Sequence, residues 1–179
     1  MRKLLPVLSI VLVLLFAFGG VSVAKEAEAK KKIPGVGDMV PDFTLKTLDG
    51  KEISFSKDIK GKHDVTFIIF MTTSCSACQA EVSAVNDIVQ KYGDKVGLYC
   101  IAVDLRGAET VKPYADTYKY MATYLLDPKF SVPRMFGFAY TPSVILVDKE
   151  GRIVFKKGGY MPGDEDMLAE KVYEMVNKK

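Results

Sequence analysis

The chain has a single histidine, His63, and only three cysteines, and this scarcity of soft ligands narrows the metal chemistry open to it. Cys75 and Cys78 form a Cys-x-x-Cys pair, which is half of a structural zinc site. The other half is missing, because Cys100 and His63 stand alone in the sequence. Copper carriage by a cysteine pair of three-residue spacing with a downstream histidine is excluded on the same count. An excess of either charge is also lacking: 25 Lys+Arg stand against 22 Asp+Glu, so nucleic-acid binding has no electrostatic support. The single basic run, Lys30-Lys31-Lys32, reads as a solvated tether in preference to a membrane-surface contact.

An apolar run long enough to span a bilayer comfortably is absent too. Leu4 to Phe18 is short for a spanning helix and Pro6 interrupts it. Arg2 and Lys3 precede this run and small residues follow at Ser22 and Ala24, which is the pattern of a secretory signal cut after Ala24. A cleaved signal over residues 1–24 is favoured over a retained anchor, and either one places the rest of the chain outside the cytoplasm, in a periplasmic or other extracytoplasmic compartment. Removing it takes away two basic side chains and no acidic one, which leaves a formal charge near +1 of the original +3. Residues 25–37 are charged and then Pro/Gly-rich and read as a linker; one domain is expected over residues 38–179.

What the chain does have is an apolar strand running straight into two cysteines that open an amphipathic helix. Val65 to Met71 is almost continuously apolar and β-prone, as in a central strand covered on both faces. Behind it, Cys78, Val82, Val85, Val89 and Tyr92 recur at helical spacing, Gly93 ends the helix, and Ser74 or Thr73 is the expected cap. Two cysteines at that spacing on a helix start close a small disulfide ring, and the unpaired N–H groups there favour a thiolate. Cys75, nearer the helix end and solvent, is the expected nucleophile. Cys78, one turn in, is placed to attack a mixed disulfide at Cys75 and release the partner. A purely structural disulfide is the weaker reading, since so short a ring removes little chain entropy.

Around this stretch the pattern predicts a hairpin over Phe43, Leu45, Ile53 and Phe55 with its turn at Asp49-Gly50, and a strand from Val96 to Asp104 in which Cys100 is a small buried hydrophobe. A helix follows over Glu109 to Met121 with Val111, Tyr114, Tyr118 and Met121 on one stripe. A short strand Thr123 to Leu126 and a short helix around Lys129 to Phe136 come next, then a hairpin of Val144 to Val147 and Ile153 to Phe155. A last helix runs from Asp164 to Val176, with acids in its first turn and Lys178 and Lys179 after its last. Glu81, three residues after Cys78, projects from nearly the same helix face. It is either a half-exposed carboxylate at the edge of the apolar stripe or a sheltered acid that trades a proton with Cys78.

The strand, the Cys75-Ser76-Ala77-Cys78 pair, Glu81 and the distant Thr141-Pro142 resemble the TlpA/ResA group of thioredoxin-like proteins, over roughly Asp38 to the C-terminus. That group usually carries Trp before the first cysteine and often Pro before the second, where this chain has Ser74 and Ala77. The resemblance implies an α/β thioredoxin-like fold: a central mixed sheet flanked by helices, with an N-terminal β-hairpin and an inserted strand-helix unit. It implies an exported thiol-disulfide oxidoreductase with no cofactor and no metal. It tips Glu81 toward the functional reading, and it implies a cis Thr141-Pro142 bond opposite the cysteines, where the Thr141 backbone pairs with an extended partner peptide. The implied partners are protein thiols and disulfides, among them the haem-binding cysteines of apocytochrome c, with reduction supplied by a thiol reductant from the membrane side. Two rivals stand beside this reading: a peroxiredoxin-like thiol peroxidase, whose motif Thr72 fits and Ile68 breaks, and a structural or metal-binding thioredoxin-fold module without turnover.

Overall fold

The computed structural model describes residues 32–177; the expected signal segment and the two terminal lysines lie outside the described residues. The chain folds through β1 (Thr44–Thr47), β2 (Glu52–Ser54), β3 (Val65–Met71), α1 (Ser76–Tyr92), β4 (Val96–Ala102), α2 (Ala108–Tyr118), β5 (Thr123–Leu126), α3 (Ser131–Met135), β6 (Ser143–Asp148), β7 (Ile153–Gly158) and α4 (Asp164–Val176). The strands form one mixed sheet in the order β2-β1-β5-β4-β3-β6-β7. β3, β4 and β5 are parallel, while β6 and β1 run antiparallel to their neighbours in that central group. This is the thioredoxin-like α/β fold, with the expected hairpin at one edge.

β3 reads as an unbroken apolar run because the sheet is covered on both sides, so that alternate residues enter separate cores. Phe67, Ile69 and Met71 pack with Cys100, Val144 and Leu146 beneath Val82, Val85 and Val89 of α1 and Leu168 and Val172 of α4. Ile68 and Phe70 face the other way, toward Phe43, Phe55, Ile59, Val132 and Phe136. Full burial of each such side chain is worth about 1.5–3 kcal/mol, so β3, like the equally buried β4, has little tolerance for a polar substitution. The same pleat brings Cys100 to full burial, as expected of a small core residue.

The α2 stripe is shorter than its spacing suggests. Val111 and Tyr114 are buried, but Lys119 adopts a left-handed conformation that ends the helix at Tyr118, so Met121 falls beyond it and is exposed. Instead of packing, the Met121 N–H donates to Asn86 Oδ1 at 2.8 Å, and Tyr118 stacks on Tyr120. The β6–β7 hairpin is longer than expected. Its register slips between Leu146 and Val147, so that Ile153 opposes Val147 while Phe155 opposes Leu146. That bulge sends Ile153 into one core and Phe155 to the other.

Candidate active site

β3 delivers the chain to Thr72 at its C-terminal end, where catalytic groups collect in open α/β sheets. The cap of α1 is neither Ser74 nor Thr73 but Cys75 itself, whose Sγ accepts the Cys78 N–H at 3.1 Å. Thr73 is committed elsewhere. Its N–H donates to both Asp104 carboxylate oxygens at 3.2 Å and its hydroxyl to Oδ1 at 2.6 Å. Asp104 lies just past the end of β4, so this carboxylate ties the loop that carries Cys75 to the neighbouring strand.

Cys75 and Cys78 are joined as a disulfide, with Cα atoms 5.2 Å apart. Cys75 is half-buried and Cys78 is fully buried, an asymmetry that the helix imposes by placing one at its mouth and the other a turn inside. One turn deeper, Glu81 is 1% exposed, and its Oε2 has no hydrogen-bond partner. Burial pushes its carboxyl up to about 8, with Asp164 adding to the rise and Lys157 opposing it. The half-exposed reading of Glu81 therefore fails, since the helix turns the carboxylate under the apolar stripe and not toward its edge. Cys100, on β4 beneath it, has its thiol pushed up by burial and, secondarily, by the Glu81 charge, and is inert as a nucleophile.

At the same end of the sheet the Thr141–Pro142 bond is cis, and Pro142 accepts the Gly159 N–H at 2.8 Å. Ser143, the first residue of β6, pairs with Phe70 near the end of β3 and with Gly158 at the end of β7. The cysteine pair, Thr141-Pro142 and the loop after β7 therefore share one rim. Sequence reasoning missed Asp104, Lys157 and Asp164. Asp104 was legible as an acid closing an apolar strand beside β3, whereas Lys157 was hidden by the bulge in its hairpin. No group of three or more His, Cys, Asp or Glu residues is placed to hold a metal ion among the described residues.

A sequence profile of the AhpC/TSA family matches residues 36–156. The thiol-disulfide oxidoreductase ResA of Bacillus thuringiensis (strain Al Hakam) is 30% identical over 146 residues, 81% of this chain and 82% of that protein. The thioredoxin-like protein YneN of Bacillus subtilis (strain 168) is also 30% identical, over 80% of this chain and 84% of its own. Among solved structures, a thiol:disulfide interchange protein from Bacteroides sp. superposes with a TM-score of 0.66 at 25% identity, covering 82% of this chain and 93% of that one.

Proposed function

Because this chain belongs to the thioredoxin-like AhpC/TSA family and is a thiol-disulfide oxidoreductase of the ResA type, we propose that it is an exported reductant of protein disulfides, with Cys75 as its attacking thiol and Cys78 as its resolving thiol. The observation that carries the reading is the burial gradient along α1: a half-buried Cys75 at the mouth, a buried Cys78 one turn in, and an unpartnered buried carboxyl at Glu81 below it.

In the reduced protein the Cys75 thiolate attacks one sulfur of a partner disulfide, forming the mixed disulfide and expelling the partner's other sulfur as a thiolate, which takes a proton from solvent. Cys78 then attacks the Cys75 sulfur. Its proton passes to the Glu81 carboxylate, the Cys75–Cys78 bond forms as the bond from Cys75 to the partner breaks, and the partner's second sulfur leaves as a thiolate that takes a proton from solvent, so the partner departs with both thiols, having gained two electrons. With its carboxyl pushed up to about 8, Glu81 is mostly protonated at neutral pH, so it is the ionised fraction, growing as pH approaches 8, that takes the Cys78 proton and the protonated form that returns it. Thr141 and Pro142, on the same rim, present the backbone against which an extended partner segment lies.

The N-terminal pattern supports export, by a cleaved signal or a retained anchor, to the periplasm or its equivalent. There, the disulfide formed by the haem-binding cysteines of apocytochrome c, as in cytochrome c maturation, fits the substrate class, and a membrane thiol reductant would restore the dithiol. Trapping tests the reading: Cys78→Ser accumulates mixed disulfides with exported proteins, and Cys75→Ser accumulates none. Equal trapping by both variants, or turnover of peroxide by the wild type at rates above disulfide exchange, sinks it.

A further inference from the structure

Lys157 lies on the buried face of β7. Cross-strand pairing links Lys157 to Val144, Val144 to Ile69, Ile69 to Cys100 and Cys100 to Tyr124, so these five residues form one row across the sheet. Residues directly opposite on neighbouring strands share a face, and the other four belong to the core packed beneath α1 and α4. An ammonium group at the end of such a row has little water to solvate it. Its side chain is 29% exposed, and Nζ donates to Asp164 Oδ2 at 2.6 Å and to the Gly159 carbonyl at 3.0 Å. Asp164, 17% exposed, also accepts the Met161 N–H at 2.7 Å, which fixes the carboxylate at the start of α4. Two of the three ammonium protons are thus engaged, and the Glu81 carboxyl with its unpartnered oxygen is buried on α1, which shares one core with α4.

We propose that Lys157, held in place by Asp164, is a positioning residue that sets the protonation of Glu81. Resting on the reading of Glu81 given above, this fixes the pH window in which Cys78 resolves the mixed disulfide. Cys78 lies one turn before Glu81 on the same helix, and four titratable groups from other elements share its surroundings: Cys100 from β4, Lys157 from β7, Tyr160 from the loop that follows, and Asp164 from α4. Cys100 is kept neutral by burial, and Tyr160 by burial and by its hydrogen bond to Glu165. That leaves Lys157 as the one cation and Asp164 as the fixed anion among them. An ammonium group steadies the Glu81 carboxylate, while Asp164 both opposes that charge and draws the ammonium toward itself. The two members of one salt bridge therefore act on Glu81 with opposite signs, so their separate removal is expected to move Glu81 in opposite directions.

The test follows the Glu81 carboxyl directly in the full chain, by carbon-13 NMR of protein labelled at the glutamate carboxyls, with the resonance assigned by its loss in Glu81→Gln. Lys157→Met is expected to raise the Glu81 midpoint, and Asp164→Asn to lower it, each by about one pH unit. Lys157→Arg, which keeps the charge, should stay near wild type, and Lys157→Gln replaces Lys157→Met if the latter fails to fold. Midpoints that do not move, or that move the same way in both variants, overturn the inference. Alkylation of Cys78 against pH, read for each cysteine by mass spectrometry, separates the two layers. A moved Glu81 midpoint with an unmoved Cys78 profile supports the hold of Lys157 on Glu81 and overturns the proton relay on which its functional consequence rests.

Discussion

A carboxyl buried one turn below a disulfide makes the folded protein sensitive to pH in a direction opposite to most acidic residues. Glu81 keeps its proton up to about pH 8, whereas in the unfolded chain it loses it near the ordinary value of 4.5. Between those limits the folded state binds the extra proton, so stability falls as pH rises, by at most ~1.4 kcal/mol per pH unit. Below the lower limit both states are protonated, above the upper one both are ionised, and the slope vanishes in each case. Glu81→Gln should abolish this decline and leave the protein more stable than wild type at about pH 8, as urea unfolding across the interval will measure. A wild-type curve flat over that range would contradict the sheltered carboxyl. Spacing alone put Glu81 beside Val82 and Val85 but left its depth open, because a residue at the margin of an apolar stripe is buried or exposed according to what the far side of the helix meets. Here α1 shares one core with α4 and the sheet, which pairwise spacing within one helix does not report.

At the scale of elements, the loop between β3 and α1 is held by a residue from a different strand. Three hydrogen bonds converge from Thr73 on the Asp104 carboxylate, and removing the acceptor leaves a backbone N–H and a hydroxyl to find new partners. Asp104→Ala is expected to cost roughly 1–3 kcal/mol and to speed alkylation of reduced Cys75 as the loop loosens. Asp104→Asn, which retains one carbonyl acceptor, should recover much of the loss. Chemical denaturation and thiol kinetics on the same preparations decide it, and an alanine variant as stable and as slow to alkylate as wild type would show that the loop is held by its own packing. The strands and helices bordering this loop were largely legible. β3, β5 and α4 run over the expected residues because their apolar periods are unambiguous and turn residues bound them. The cap was not, since Ser and Thr outrank Cys by propensity and only the tie to Asp104 shows why Thr73 is unavailable.

For the whole molecule, what the sequence hides is where the folded unit begins. The Pro/Gly-rich stretch before Asp38 reads as a linker, yet part of it is built into the sheet edge. Gly37 donates to the Ile153 carbonyl at 2.8 Å, Ile153 donates to Asp38 at 2.9 Å, Val40 donates to Gly151 at 2.9 Å, and Lys156 Nζ reaches the Pro34 carbonyl at 3.1 Å. Pro34 and Val40 are buried beneath these contacts, and Met39 bridges Arg152. β7 is an edge strand, and this segment covers the open side of its first residues, a common defence against edge-to-edge pairing. Composition misleads here because the stabilisation comes from backbone groups, which any residue but proline donates and every residue accepts. A chain of residues 32–179 is therefore expected to be more stable than one of residues 42–179. Three backbone hydrogen bonds at about 1 kcal/mol each, with the burial of Val40 and Pro34 added, give a difference of several kcal/mol. That should lower the melting temperature by roughly ten degrees, at about 2–4 °C per kcal/mol. The shorter chain should also self-associate through the uncovered start of β7, which light scattering at rising concentration will detect. Equal melting temperatures and equal scattering would return residues 34–40 to the role of a linker and leave the edge of β7 protected by its own lysines.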